Sequence, residues 1–115
     1  MEPCNFYPRG FLQHNETEEV IPPPSCQKGV IDWNYPRGSL RIIFTQQEPF
    51  KLCVKNWIGG DLLSIFDHSF NQETPLQTLS SDDQCISSND RTAVLDVKSP
   101  SFQTYMAGFF FEINS

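Results

Sequence analysis

Residues 26–44 read CQKGVIDWNYPRGSLRIIF, and this stretch decides the fold. It opens with Cys26 and leads through a short apolar segment to Trp33. The next four residues, Tyr35-Pro-Arg-Gly38, have proline second and glycine fourth, which is typical of a tight β-turn. Large apolar side chains then alternate with others over residues 40–44, the pattern of a strand with one buried face. The stretch therefore predicts two strands joined by an aromatic turn at one end of a small β-domain.

The composition is that of an antiparallel β-domain. The 115 residues include nine prolines, six glycines and ten phenylalanines, and no helical pattern of even ten residues is present. Short runs of β-branched and aromatic residues alternate with turn signals. A chain of this length is expected to form one domain. We therefore predict a single all-β domain over residues 1–115, an antiparallel β-sandwich or jelly roll of about seven to nine short strands.

Strand periodicity is found in six segments, at residues 28–33, 40–44, 50–55, 62–66, 92–98 and 105–113. Gly59-Gly60 lies between the third and fourth segments and favours a hairpin there, because tight primed turns need a positive φ. Residues 1–25 are predicted to form an N-terminal arm, with a second Tyr-Pro-Arg-Gly turn at residues 7–10. The mostly polar residues 67–89 predict a long loop, which we expect Cys85 to anchor.

The net charge of −6 excludes some classes of partner. Binding to nucleic acid and docking on an anionic membrane both need a clustered basic face, whereas lysine and arginine are scattered singly here. No segment is long or apolar enough to insert into a membrane. The N-terminus, Met-Glu-Pro-Cys4, lacks the charged and apolar regions of a signal peptide, which indicates either a cytosolic protein or a mature fragment with an added methionine. The cysteines and a glycosylation sequon favour the fragment.

The cysteines predict a disulfide framework, and they are Cys4, Cys26, Cys53 and Cys85. Zinc ribbons and thioredoxin-like motifs need two cysteines two to four residues apart, and this sequence has no such pair. Four cysteines allow three pairings, and sequence alone does not choose between them. The order-preserving pairing ties the arm to the first strand, and each bond would contribute about 3–4 kcal/mol by loop-entropy reasoning. A disulfide framework indicates a secreted or extracellular domain.

A glycosylation sequon, Asn15-Glu-Thr17, lies in a polar run that ends in three prolines at residues 22–24. Such a run is typical of an exposed loop with a stiff polyproline end. We therefore predict a glycan on Asn15, which agrees with the extracellular location that the cysteines indicate.

Residues that resemble a catalytic or metal site lack the necessary spacing. Asp67-His68, with Ser64 or Ser69 nearby, is the best catalytic candidate. Adjacent residues on a strand point to opposite faces, so we predict a solvent-exposed loop histidine. Asp82-Asp83 suits calcium chemically but lacks an ordered oxygen-rich spacing, so we predict solvated acids. The sequence thus predicts no enzyme, no metal and no cofactor.

Two aromatic side chains are candidates for binding a partner. Alternation in the last strand places Phe109 and Phe111 inward and Phe110 outward, where a partner would cover it. Trp57 comes just before the glycine pair and is a candidate interface anchor. It also leaves open a carbohydrate-binding module, because an indole ring can stack on a sugar. Trp33 is instead predicted to fill the turn at the end of the sandwich.

These features together resemble a CUB domain, and within that group the N-terminal CUB-like domain of the meteorin family. The likeness covers nearly the whole chain. Its most specific part is the motif Trp33-Asn-Tyr-Pro-Arg-Gly-Ser-Leu-Arg41, supported by the cysteine order and by the closing Ala107-Gly-Phe-Phe-Phe-Glu112. In this family the first cysteine pairs with the second and the third with the fourth. The resemblance therefore implies the pairs Cys4–Cys26 and Cys53–Cys85.

The resemblance also implies a function. It predicts a secreted, cytokine- or growth-factor-like protein that engages a protein receptor or co-receptor; the alternative is a CUB-type ectodomain module of a cell-surface receptor or matrix protein, used for adhesion or oligomerisation. Many CUB domains bind calcium through aspartates after the third cysteine and before the last strand. Val54-Lys55 and Lys98-Ser-Pro-Ser101 stand there instead, so no such calcium site is expected. Meteorins continue into a second, cysteine-rich domain, which we expect as a further partner in the same chain.

Overall fold

The computed structural model describes residues 4–114, which fold into two β-sheets. The strands in chain order are β1 Cys4–Phe6, β2 Thr17–Val20, β3 Lys28–Asn34, β4 Ser39–Thr45, β5 Lys51–Ile58, β6 Ser64–Asp67, β7 Thr74–Pro75, β8 Gln84–Ser87, β9 Thr92–Lys98 and β10 Met106–Asn114. A short 3₁₀ helix, η1, spans Gly60–Leu62. Over the described range, no helix has the length and apolarity needed to cross a bilayer.

Each sheet has five strands. The first sheet has the order β1-β3-β10-β5-β8, and the second has the order β2-β4-β9-β6-β7. Neighbouring strands run antiparallel except at one edge of each sheet, where β1 is parallel to β3 and β2 is parallel to β4. The predicted all-β sandwich is confirmed, with ten strands among residues 4–114 rather than seven to nine. The assignment of residues 1–115 to one domain stays a prediction.

The N-terminal segment belongs to both sheets. The residues predicted as an arm contain β1 and β2, which add one edge strand to each sheet. Cys4 lies opposite Gly29 in the first sheet, and Thr17 lies opposite Ser39 in the second. Periodicity did not reveal these strands, because they are only three and four residues long.

The core lies between the sheets and is built from alternating side chains. The largest fully buried residues include Trp33, Phe44, Phe109, Phe111, Leu12, Ile31, Leu40, Ile42, Leu52 and Leu95. Phe110 is only half-buried and lies on the outer side of β10. The predicted alternation of the last strand is therefore confirmed, because successive side chains of a strand point to opposite faces.

Trp33 fills the end of the sandwich, as predicted. Its side chain is fully buried, with an exposed fraction of 0%. The indole Nε1–H donates a hydrogen bond to the carbonyl oxygen of Arg9 at 2.9 Å. A buried indole N–H needs a hydrogen-bond acceptor, and the Arg9 carbonyl provides it. The bond also connects the N-terminal segment to the end of β3.

The hairpin predicted at Gly59-Gly60 is wrong. β5 belongs to the first sheet and β6 to the second, so the chain crosses between the sheets through η1. Gly59 does have a positive φ of 69°, but it precedes a 3₁₀ turn rather than closing a hairpin. A glycine pair indicates a tight turn without indicating which sheet the next strand will join.

The polar segment 67–89 is not one long loop, because it contains β7 and β8. Cys85 in β8 lies opposite Cys53 in β5 and forms a disulfide with it. The other disulfide joins Cys4 to Cys26. The pairing that the resemblance implied is thus confirmed, as is the anchoring of the segment by Cys85.

Candidate binding surfaces

The two aromatic residues predicted for binding lie next to each other on the outer face of the first sheet. The ring centroids of Trp57 and Phe110 are 6.1 Å apart. Trp57 is 41% exposed. Gly108 makes room for the indole, because a β-carbon at this position would lie 2.9 Å from a ring carbon of Trp57. We call Trp57 and Phe110 the outer aromatic pair.

Charged side chains surround the outer aromatic pair. Lys55 places its Nζ 5.7 Å from the centroid of the Phe110 ring, within the range of a cation–π contact. A depression of about 310 Å³ beside the pair is lined by residues 28–30 and 110–112 with Cys53, Lys55 and Asp83. This face therefore combines an exposed aromatic centre with charges of both signs at its border.

A second aromatic group, which the sequence pattern did not predict, lies at one end of the sandwich. Phe11 and Tyr35 stack with ring centroids 4.6 Å apart, and Tyr105 meets Tyr35 edge-on at 6.1 Å. Phe11 is 65% exposed and Tyr105 is 78% exposed. The stacked pair borders a cleft of about 320 Å³, lined by residues 35–37 and 99–104 with Phe11 and His14. We call it the end cleft.

The backbone of the stacked pair is strained. Phe11 has a φ of 57° and Tyr35 a φ of 51°, in the left-handed region that bulky side chains rarely occupy. Such a conformation costs about 1–3 kcal/mol per residue and tends to occur at functional sites. Two hydrogen bonds hold it: Phe11 N–H donates to the Tyr35 carbonyl at 3.0 Å, and Tyr35 N–H donates to the Tyr105 carbonyl at 2.7 Å.

The two Tyr-Pro-Arg-Gly segments meet at this end of the molecule. The turn predicted at residues 7–10 is wrong, because residues 7–9 have no turn or bend, whereas the chain does bend at Tyr35 and Gly38. The carbonyl of Arg9, in the first segment, accepts the Trp33 hydrogen bond just before the second segment. A side chain at Gly10 would collide with the carbonyl oxygen of Asn34. Turn chemistry was the predicted reason for the repeat. The repeat was also the available signal for the end cleft, because the second copy and Phe11, which follows the first copy, line it.

Arg9 is fully engaged within the N-terminal segment. Its guanidinium lies 2.7 Å from a carboxylate oxygen of Glu16 and 3.3 Å from one of Glu18. The hydrogen bond to Glu16, followed by that to Glu18, raises the pKa of Arg9. The pKa of Glu16 is lowered, first by the backbone N–H of Gln13 and then by Arg9. These groups are exposed, so they organise the surface more than they stabilise the fold.

The sequon residue Asn15 lies in an exposed turn. The Glu16 N–H closes this turn by donating to the Gln13 carbonyl at 2.9 Å. Asn15 is therefore accessible to a modifying enzyme, and its glycosylation stays a prediction.

His68 is not the solvent-exposed loop residue that was predicted. Its Nδ1 lies 2.7 Å from Oδ2 of Asp96, 3.2 Å from Nη2 of Arg41 and 3.8 Å from a carboxylate oxygen of Glu73. Arg41 donates to both carboxylate oxygens of Asp96, at 2.8 and 3.0 Å. These four side chains, which we call the charge network, lie on the outer side of the second sheet. Pairing of β4 with β9 brings Arg41 opposite Asp96, so the spacing of these residues in the sequence does not predict the charge network.

The carboxyl groups of the charge network have opposite pKa shifts. Asp96 is only 8% exposed, and burial by itself raises its pKa. Hydrogen bonds with Arg41, then Glu73 and His68, outweigh burial and hold the pKa of Asp96 well below its usual range. The pKa of Glu73 is raised, first by its hydrogen bond with Asp96 and then by burial and by the negative charge of Asp96.

The charge network contains metal-ligating groups. Across residues 4–114, His68, Glu73 and Asp96 are the one set of three such side chains whose donor atoms all lie within 4.8 Å of one another. Arg41 contacts both Asp96 and His68, so a cation already occupies the position that a metal would need. We therefore interpret the set as a network of hydrogen bonds and charges.

Of the other candidate catalytic residues, Asp67 and Ser69 are hydrogen-bonded to the backbone and Ser64 is exposed in β6. Asp67 accepts a hydrogen bond from the N–H of Ser69 at 3.0 Å, and the Ser69 hydroxyl accepts one from the N–H of Val94 at 2.9 Å. In the part of the chain that the structure describes, neither group is hydrogen-bonded to His68. The acids Asp82 and Asp83 are exposed.

Comparison with known proteins gives a fold and no family. No family model matches the chain, and no curated protein matches it. Among solved structures, the pre-peptidase C-terminal domain of collagenase from Bacillus anthracis is similar with a TM-score of 0.50 and 10% identity, covering 87% of this chain and 96% of that chain. At this identity the likeness shows a shared β-sandwich alone.

Two further similar structures come from larger proteins. The CUB1-EGF-CUB2 domain of human MASP-1/3 has a TM-score of 0.49 and 10% identity over 86% of this chain. The full extracellular region of zebrafish Gpr126/Adgrg6 has a TM-score of 0.48 and 9% identity over 90% of this chain. The chain spans 41% of the human chain and 15% of the zebrafish chain.

Proposed function

We propose that this chain is the extracellular protein-binding module of a secreted, cytokine- or growth-factor-like protein of the meteorin type, and that it engages a receptor. The outer aromatic pair is the observation that carries the proposal. Trp57 and Phe110 are separated by 53 residues in sequence and meet on an outer sheet face, where they serve no core. Aromatic residues surrounded by a polar border are the usual anchors of protein interfaces.

The surroundings of the pair favour a protein partner. Lys55 contacts Phe110, and Lys28, Asp83 and Glu112 line the neighbouring depression. Charges of both signs around an aromatic centre match the polar rim of an interface, which sets specificity and association rate. The two disulfides support an oxidising, extracellular location, and we propose Asn15 as a glycan attachment site.

The proposal is tested by measuring binding of the oxidised, secreted domain to a panel of cell lines by flow cytometry. We expect saturable binding that is lost when the cells are treated with protease, because the receptor is a protein. Trp57→Ala and Phe110→Ala should each weaken this binding at least about tenfold, since truncating an anchor typically costs 2 kcal/mol or more.

Phe70→Ala is the matched control, because Phe70 is 53% exposed and lies outside the outer aromatic pair. This variant should bind cells like the unmodified domain. Binding that survives protease treatment, or that is equal for all three variants, would contradict the proposal.

A further inference from the structure

We propose that the end cleft binds a carboxylated sugar, the acidic residue of a glycan. This site is separate from the outer aromatic pair, and its ligand belongs to a different chemical class from the protein receptor proposed above. The proposal rests on the aromatic walls of the cleft, on its charge and on its polar lining.

The walls of the end cleft are exposed aromatic rings. Phe11 and Phe102 are 65% and 57% exposed, and Tyr35, stacked on Phe11, is 39% exposed. The volume of about 320 Å³ is within the range of small-ligand sites, which are lined by aromatic side chains and a few polar groups. The backbone hydrogen bonds of Phe11 and Tyr35 hold the stacked rings in place, so a ligand would meet a preorganised surface.

The charge of the end cleft is opposite to that of the whole chain. Arg37 and His14 line it, and no Asp or Glu among the described residues does so, although the chain carries a net charge of −6. The two Tyr-Pro-Arg-Gly segments differ here. Arg9 of the first segment is paired with Glu16 and Glu18, whereas Arg37 of the second segment makes no ion pair with any residue between 4 and 114. An arginine guanidinium is suited to bind a carboxylate through two hydrogen bonds.

The remaining lining favours a sugar over a purely apolar acid. Ser99, Ser101, Gln103 and Thr104 supply hydroxyl and amide groups, which both donate and accept hydrogen bonds. A sugar ring presents hydroxyl groups at its edge and carbon-bound hydrogens on its face. The end cleft thus offers aromatic rings to the face, polar groups to the edge and Arg37 to the carboxylate.

Isothermal titration calorimetry with defined saccharides tests this proposal. The probes are sialyllactose against lactose, and a hyaluronan oligosaccharide against its carboxyl-reduced form. We expect the acidic member of at least one pair to bind at least about tenfold more tightly than its neutral counterpart, the effect of one charge-assisted hydrogen bond. Preference for the sialylated probe assigns the ligand to glycoprotein chain ends, and preference for the uronic acid assigns it to glycosaminoglycans.

Two substitutions connect this binding to the end cleft. Arg37→Gln should reduce the affinity for the acidic sugar to that for the neutral one, and Phe102→Ala should weaken binding of both about tenfold. The matched controls are Arg91→Gln and Phe70→Ala, which alter another exposed arginine, paired with Asp90, and a phenylalanine of similar exposure to Phe102. Arg91 lies just before the start of β9, whereas residues 99–104 of the end cleft come just after the end of that strand. Circular dichroism and the melting temperature establish that each variant is folded. If Phe102→Ala is unfolded, Phe102→Leu is used in its place.

Four results would overturn the proposal. The first is equal affinity for acidic and neutral sugars in both pairs, or binding of neither. The second is an equal loss of affinity in Arg91→Gln, which would indicate a general charge effect. The third is competition by a short acidic peptide, which would assign the cleft to a protein partner. Loss of sugar binding in Trp57→Ala with retention in Arg37→Gln would likewise place the site elsewhere, while leaving the receptor proposal open.

Discussion

Trp33 connects three parts of the molecule. Its ring is fully buried in the core, its indole N–H donates to the Arg9 carbonyl, and Tyr35, two residues further along the chain, carries one of the stacked rings of the end cleft. A large side chain with a fixed hydrogen bond has one allowed position, so it also fixes the backbone on either side. Packing of the core and geometry of the end cleft are therefore linked through one residue.

Trp33→Ala should lower the free energy of unfolding by about 3–5 kcal/mol, because it removes a large buried ring and leaves a cavity. Urea denaturation followed by circular dichroism measures this change. Trp57→Ala is the matched control, since Trp57 is 41% exposed and should cost much less. Equal losses in the two variants would contradict the assignment of Trp33 to the core.

Among the strands, β8 depends most clearly on a covalent link. It is four residues long, lies at the edge of the first sheet and has alternating half-buried and exposed side chains. It is hydrogen-bonded along one edge only, to β5. The Cys53–Cys85 disulfide joins the two strands at directly opposite positions. The disulfide thus compensates for the small apolar area that such an edge strand can bury.

Replacing both Cys53 and Cys85 by serine should lower the free energy of unfolding by about 3–4 kcal/mol, because the bond closes a segment of 32 residues. Guanidinium denaturation measures the loss. Hydrogen exchange of the β8 amides should also become faster than that of the β3 amides. Unchanged exchange in β8 would show that the strand is held by its ladder alone.

Across the whole molecule, the charge network joins β4, β9 and the segment that leads from β6 to β7. Arg41 and Asp96 face each other on neighbouring strands, and His68 approaches them from the end of β6. The lowered pKa of Asp96 makes the folded state depend on pH. Its stabilising effect is complete above the ordinary aspartate pKa of about 4 and is lost as the pH falls toward the lowered value. The raised pKa of Glu73 acts in the opposite sense, with an effect that is lost as the pH rises.

Asp96→Asn should lower the free energy of unfolding by about 1.5–3 kcal/mol at pH 7, the range for hydrogen bonds to charged groups. The difference from the unmodified protein should shrink below about pH 4, where the unfolded aspartate becomes protonated. Urea denaturation at a series of pH values measures it. Asp82→Asn, at an exposed position, should change stability little at any pH. A difference that stays constant from pH 7 to pH 3 would contradict the role assigned to Asp96.

Local pattern was sufficient for much of the fold. The alternation of Phe109, Phe110 and Phe111 assigned each side chain to its face, because the side chains of a strand have a period of two. Turn chemistry placed the bend at Tyr35–Gly38, and the size of Trp33 predicted its burial at that end. The disulfide pairing needed more than pattern, since four cysteines allow three pairings; it came from the resemblance to CUB domains.

Long-range strand pairing determined the rest. Arg41 and Asp96 are 55 residues apart, and they meet because β9 lies between β4 and β6. Phe11 and Tyr35 stack because the two Tyr-Pro-Arg-Gly segments contact each other, although neither segment by itself indicates a site. Sequence by itself determined which side chains face inward, because the period of a strand is local. Only the tertiary structure decided which outward side chains share a surface, because the order of strands in a sheet arises from contacts between distant segments.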